Sequence, residues 1–352
     1  MQEQQGQLKI HNSLIMPGER TIVQIPMPGL YNNSPMTMPV HVLRSRFPGP
    51  CLLITAAIHG DEINGVEIIR RLLKLRVLKQ LHGTVISVPV TNVYGFISQS
   101  RYLMDRRDLN RTFPGSDRGS LASRLANLIL QELVSKSTHI IDIHTGSLHR
   151  TNLPQVRITL DDPEMVNLAK AFHAPIILNT RSPDGSLRQA AKNLGISTLL
   201  YEAGEALRFD EVSIRIGVHG VINVMRELKM LPPTHRKPKT KYIPAIAEAS
   251  LWVRASRSGI IRPSKGLGDK VTRGDELGII ADPLGLDELT IQAPIDGIII
   301  GMNNLPMVHE GDALFHLASF DKLNQASIAP KTARALGDPE NPLVEGEEFT
   351  IT

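Results

Sequence analysis

Between Cys51 and Leu228 the sequence alternates short, almost wholly apolar runs with longer segments whose apolar residues recur at helical spacing. Few folds tolerate that rhythm. A short run with no polar face has to be covered on both sides, whereas a segment with one apolar stripe can lie on a surface. The runs Leu52–Ile58, Thr84–Val90, Thr138–Ile143 and Thr198–Tyr201 read as buried strands. In the segment Ile63–Leu75, Val66, Ile68, Ile69, Leu72 and Leu73 mark a helix face, and Leu121–Val134, Met165–Phe172, Leu187–Leu194 and Val212–Leu228 read the same way. Strand–helix alternation of this kind predicts an α/β fold: a mainly parallel or mixed sheet flanked by helices.

The flanks of this region behave differently. Residues 1–48 carry short apolar pieces, Ile22–Pro26 and Val40–Leu43, separated by Pro- and Gly-containing turns, and form an N-terminal β segment. At Leu231-Pro232-Pro233 the helical pattern breaks, and a Pro- and Lys-rich stretch runs to Pro244 as a linker. A chain of 352 residues exceeds what one core usually supports, so the expected division is an α/β domain over 1–235 and a smaller all-β domain over 236–352. The second part echoes itself. Ser258–Pro263 is followed by Gly268-Asp269 and Gly274-Asp275, and Asp296–Ile300 is followed by Gly311-Asp312. Two similar units predict a small β-sandwich or barrel with pseudo-twofold symmetry.

Composition removes several classes of function. Basic residues number 39 and acidic ones 35, interspersed, for a net charge of +4. A nucleic-acid binder gathers its cations in a stripe or arm, and the one basic run, His235–Lys241, reads as a solvated linker. The single cysteine, Cys51, rules out an internal disulfide and a thiolate-rich zinc site, and reads as a small buried thiol in a reducing compartment. Met1–Gln7 lacks the features of a secretion signal, and no apolar run reaches the roughly 20 residues that span a bilayer. The expectation is a cytoplasmic protein with no nucleic-acid or membrane partner, with room for a homo-oligomer.

The chemistry gathers at strand ends, where open α/β sheets place their ligands. His59 and Glu62, in Thr55–Glu62, lie where a strand passes into a helix, and His144 ends the run Ile140–Ile143. Two imidazoles and a carboxylate are a common donor set for catalytic zinc, with ligand distances of about 2.0–2.2 Å. Ligand type points to zinc rather than to manganese or cobalt. The spacing is not that of a helical His-Glu-x-x-His site. Asp142, two residues before His144, is assigned to the opposite side of its strand in a supporting role. Glu202 follows the run Leu199–Tyr201 and suits an acid/base that takes a proton from water and returns it to a leaving amine, with Glu205 as the alternative. The segment Arg101–Gly115 is polar, without periodicity, and carries four arginines, whose planar guanidinium groups can grip a carboxylate.

These pieces, His59-Gly60-Asp61-Glu62, Asp108-Leu109-Asn110-Arg111, Asp142-Ile143-His144-Thr145-Gly146 and Tyr201-Glu202-Ala203-Gly204, resemble the succinylglutamate desuccinylase/aspartoacylase family of the zinc carboxypeptidase superfamily, in its order and over roughly residues 45–230. The resemblance implies a zinc-carboxypeptidase-like fold with one Zn²⁺ per chain on His59, Glu62 and His144, and Glu202 as general base. It implies that Asn110 and Arg111 hold the substrate carboxylate. It also implies an upstream arginine that polarises the scissile carbonyl, a role for which Arg101 and Arg106 both qualify. Arg150 and Asn152, just after His144, are further candidate substrate contacts. The implied reaction is hydrolysis of a small N-acyl amino acid, with a peptide carboxypeptidase or a non-catalytic binding protein as the other readings. The C-terminal segment resembles a biotinyl/lipoyl-type hammerhead, but Asp287–Pro294, where such a carrier needs a modifiable lysine, contains none.

Overall fold

The structure is a computed structural model, and it describes residues 7–233 and 244–320. The basic run His235–Lys241 and most of the linker lie outside the described residues. The N-terminal strands are β1 (Leu8–Ile10), β2 (Ser13–Ile15), β3 (Arg20–Met27) and β4 (Met36–Arg44). Alternating elements follow: β5 (Cys51–Ala56), α1 (Asn64–Leu72), β6 (Thr84–Val88), α2 (Val93–Ile97), α3 (Leu121–Glu132), β7 (His139–Gly146), β8 (Arg150–Ile158), α4 (Pro163–Phe172), β9 (Ile176–Asn179), α5 (Leu187–Asn193), β10 (Ser197–Glu205) and α6 (Glu211–Glu227). The C-terminal part holds β11 (Ala245–Ala247), β12 (Ala249–Arg254), β13 (Gly259–Pro263), β14 (Lys270–Val271), β15 (Glu276–Ala281), β16 (Glu288–Gln292), β17 (Gly297–Asn303), β18 (Met307–Val308) and β19 (Ala313–Ser319).

The centre of the main sheet is parallel: β6, β5, β7 and β10 lie side by side, so the carboxyl ends of their strands share one edge. Its flanks are antiparallel, with β4 and β3 on one side and β8 on the other. Helices cover both faces, as the unbroken apolar runs demand. On one face Ile68, Leu72, Leu168, Phe172, Ile214 and Val221 from α1, α4 and α6 pack over Ile54, Ile141 and Leu199. On the other, Leu125, Ala126 and Ile129 of α3 and Leu187 and Ala191 of α5 pack over Leu53, Ile86 and Ile140. Helix starts are marked by residues that accept from free amides. Ser120, Asp162, Ser186 and Asp210 cap α3 to α6, with Pro163 in the first turn of α4.

The repeat in the C-terminal sequence is real, and the two copies interlock. β15 pairs with β13 and β19 with β17 inside each copy, while the short strands cross over, β14 pairing with β17 and β18 with β13. The recurrent Gly-Asp steps explain the turns. Gly268, Gly274 and Gly311 adopt positive φ, and the carboxylates of Asp269, Asp275 and Asp312 accept from the amides of Gly266, Thr272 and His309. Strands β16, β15, β13 and β18 form a separate four-stranded sheet, whereas β11, β12, β14, β17 and β19 join the main sheet. β17 pairs antiparallel with β8, and β11 pairs with β9, so the sheet runs continuously from the α/β part into the C-terminal part. Leu153, Ile176, Leu178, Ala245, Ala247, Ile298 and Ile300 form the apolar seam. Among the described residues no helix is long and apolar enough to cross a membrane.

Ile141, 1% exposed at the centre of the sheet, and Leu284, 77% exposed in a turn, allow a direct comparison. Ile141→Ala is expected to cost about 2–5 kcal/mol of stability and Leu284→Ala under about 0.5 kcal/mol, both read from urea denaturation midpoints.

Candidate active site

Three neighbouring parallel strands deliver the charged residues. β5 ends at Ala56, and the chain turns at Ala57, which adopts φ 48°, a conformation uncommon outside glycine and concentrated at functional sites. The amides of Thr91 and Asn92 donate to Ala56 and Ala57 oxygens and hold the kink, after which His59 and Glu62 face inward. Gly60 is required by close approach: a Cβ there would lie 1.9 Å from the main-chain carbon of Gly95. His144 lies near the end of β7. Glu202 is in register with it on β10, so the two side chains emerge side by side on one face. Gly204, at φ 75°, turns the chain after Glu202 where a side chain would collide with Asn64.

Glu62 is the hub. His59 Nδ1 donates to its Oε1 (2.7 Å) and His144 Nδ1 to its Oε2 (2.8 Å), and the Thr145 amide also donates to Oε2 (3.1 Å). The outer nitrogens are held as well. His144 Nε2 donates to Asp142 Oδ2 (2.9 Å), whose Oδ1 accepts from Thr55 Oγ1 (2.7 Å). His59 Nε2 donates to Asp108 Oδ1 (3.2 Å), and Arg101 Nη2 donates to Asp108 Oδ2 (2.7 Å). Asp142 is therefore on the same side of β7 as His144, not the opposite one, because residues two apart on a strand share a face. Its carboxylate fixes the orientation of the His144 imidazole.

All three central groups are buried, so their charges are set by one another. Burial works to lower the pKa of His59 and His144, yet Glu62 with Asp108, and Asp142 with Glu62, outweigh it, and both imidazoles are raised. Burial alone would raise Glu62, but the two imidazoles hold it well below the ordinary carboxylate range. Donor atoms of His59, Glu62 and His144 lie within 4.8 Å of one another, a set that could hold a metal ion. Two imidazoles and a carboxylate, each imidazole steadied through its far nitrogen, match the chemistry that zinc accepts.

A cleft of about 350 Å³ opens over this cluster. His59, Glu62, His144, Glu202, Arg101, Asn110 and Arg111 all line it. Asn110 is anchored by accepting from the Leu187 amide (2.8 Å), and Arg111 donates to the Asn110 carbonyl (2.8 Å). Arg106 sits in an exposed turn at φ 63° and does not line the cleft. Nor do Arg150 and Asn152, which lie at the start of β8. Arg150 stacks 5.5 Å from the Trp252 ring, and Asn152 is buried opposite Gly301 of β17. Glu205 lies near Arg208 (3.4 Å). The cleft also contains Arg157, Arg181 and Arg188, which the sequence reading missed. For Arg157 a signal existed: Gln155 and Arg157 alternate with Val156 and Ile158, the period of a strand.

Metal uptake should depend on pH with a definite sign. Because the folded-state pKa values of His59 and His144 are raised, protons occupy both imidazoles to higher pH, and a metal must displace them. Affinity is expected to rise as pH rises, with proton release on binding. Zinc titration calorimetry in buffers of different ionisation enthalpy measures both, and His144→Ala should abolish stoichiometric zinc uptake.

Residues 48–228 match the succinylglutamate desuccinylase/aspartoacylase catalytic domain. The chain is 27% identical over 292 residues to the N-alpha-acetyl-L-2,4-diaminobutyric acid deacetylase of Halomonas elongata, covering 80% of this chain and 85% of that one. It is similar to the crystal structure of a succinylglutamate desuccinylase/aspartoacylase from Rhodobacter sphaeroides, with a TM-score of 0.77, 25% identity and coverage of 86% and 95% of the two chains. The product-bound ectoine utilization protein EutE of Ruegeria pomeroyi shares the fold, with a TM-score of 0.79, 22% identity and coverage of 90% and 99%. With the matched region spanning more than half of its length and its buried His-Glu-His cluster at the strand ends, the chain belongs to the succinylglutamate desuccinylase/aspartoacylase family.

Proposed function

We propose that this protein is a zinc-dependent amidohydrolase that removes the acyl group from a small N-acyl amino acid. One observation carries the reading: Glu202 on β10 is in register with His144 on β7, so a carboxylate suited to acid/base work stands beside a buried two-His, one-Glu cluster that lines a cleft. The deacetylase function in the name of the Halomonas relative supports the same reaction class. A cleft of about 350 Å³ suits an acylated amino acid better than an extended peptide.

His59, Glu62 and His144 would hold one zinc ion, which when bound supplies Lewis acidity and stabilises negative charge developing on a neighbouring oxygen. Glu202 accepts the proton of the attacking water and returns it to the departing amine, since an amine leaves far more readily once protonated. Arg101, which lines the cleft with Nη1 3.5 Å from Glu62 Oε1, serves as the group that polarises the carbonyl. Asn110 and Arg111 bind the substrate carboxylate, Arg111 with a guanidinium already oriented by its bond to the Asn110 carbonyl.

The test is amine release from a panel of N-acetyl and N-succinyl amino acids, using wild type and Glu202→Gln. Wild type should hydrolyse at least one of them, and Glu202→Gln should lose about 10²–10⁴-fold in kcat while keeping its zinc. A wild-type protein that binds zinc but releases no amine from any of them would refute the assignment.

A further inference from the structure

Arg157 reaches the carboxylate that the proposed reaction uses as its base, and we propose that it is a positioning residue that fixes Glu202 for proton transfer. The inference rests on the reading of Glu202 as general base. On the antiparallel pair β8 and β10, Arg157 is in register with Leu200 and Gln155 with Glu202. Arg157 and Glu202 are thus diagonal neighbours on one face, a separation that a long side chain spans. Arg157 Nη2 lies 2.6 Å from Glu202 Oε2, with the two side chains 23% and 15% exposed. The contact is an ion pair through Glu202 Oε2 and not an aligned hydrogen bond, so its hold on the carboxylate is mainly electrostatic.

A glutamate at a strand end has three side-chain torsions to restrain, and a general base works only within about 2.6–3.2 Å of the proton that it takes. A misplacement of about 1 Å can cost about 10²-fold. A guanidinium suits this restraint because it does not lose its proton, and so holds the carboxylate without entering the proton path. Arg157 is itself braced. Arg188 Nη1 donates to the Arg157 main-chain oxygen (3.1 Å), and Arg188 Nη2 donates to the oxygens of Thr180 (3.3 Å) and Arg181 (2.7 Å). Arg188 therefore ties β8 to the segment before α5, and its hydrogen bonds among the described residues end on carbonyls and the Thr180 hydroxyl rather than on Glu202. Arg157 differs from Arg111 in the same cleft. The side chain of Arg111 bonds to a main-chain oxygen and has its charge available to a substrate, whereas that of Arg157 is already paired with Glu202.

Arg157→Met, Arg157→Lys and, as a comparison, Arg111→Met separate these roles. The measurements are kcat and KM on the substrate that wild type hydrolyses best, zinc content, and crystal structures of wild type and Arg157→Met. Arg157→Met should lower kcat about 10–100-fold with KM within about twofold and zinc retained. Glu202 should leave its wild-type rotamer in that variant, and Arg157→Lys should recover part of kcat. Arg111→Met should act mainly on KM. A raised KM with kcat unchanged in Arg157→Met, or a Glu202 side chain that keeps its place there, overturns the proposal. Where Arg157→Met does not accumulate as folded protein, Arg157→Gln carries the same comparison. If wild type releases no amine, the proposed reaction fails, while the two crystal structures still decide whether Arg157 positions Glu202.

Discussion

A carboxylate as deeply buried as Glu62 can persist as an anion only if its surroundings return what water would have supplied. Two imidazoles and a main-chain amide do so here, and the demand propagates outward. Each imidazole, raised by Glu62, needs an acceptor on its far side, which Asp108 and Asp142 provide. Asp108 in turn is paired with the Arg101 guanidinium, and Asp142 accepts a hydrogen bond from the Thr55 hydroxyl. Three segments from separate parts of the chain, 55–62, 101–108 and 142–145, are thereby bound to one buried charge. Three of the four motifs that mark the sequence are the points at which this charge network crosses the chain.

Strand geometry makes that network affordable. Residues two apart on β7 face the same way, so His144 and Asp142 form one unit without any loop to order. Parallel neighbours in register, His144 and Glu202, need no loop either. The backbone departs from the regular strand at Ala57, and that kink is held by hydrogen bonds from the segment leading into α2. The same helix abuts Gly60, which is why the residue between His59 and Asp61 cannot carry a side chain.

Much of this was legible because burial and function coincide in sequence. The residues of the His-Glu-His cluster follow apolar runs whose length and composition mark them as central strands, and the helices between them carry clear periodicity. What escaped detection was either half-polar or long-range. β8 contains Pro154, and its polar residues Asn152, Gln155 and Arg157 interrupt the apolar run, so no strand was predicted there, and Arg157 was lost with it. Arg101 and Arg106 could not be separated by spacing, since their difference lies in a turn: the chain at Arg106 adopts φ 63° and sends it outward, while Arg101 is drawn in by Asp108. The linker and the Gly-Asp turns identified a C-terminal β part, but no local pattern encodes the pairing of β17 with β8.

That pairing has a consequence for how the chain can be divided. A protein cut at the Pro-rich linker would lose β17 and leave the first residues of β8, Arg150–Asn152, as an unpaired edge. Open edges of this kind invite pairing with other chains and so favour aggregation. The edge would lie one strand away from Glu202. The C-terminal β part therefore acts as an edge protector for the catalytic sheet, and its interlocked halves, each completing the other's strands, make that protection all-or-none.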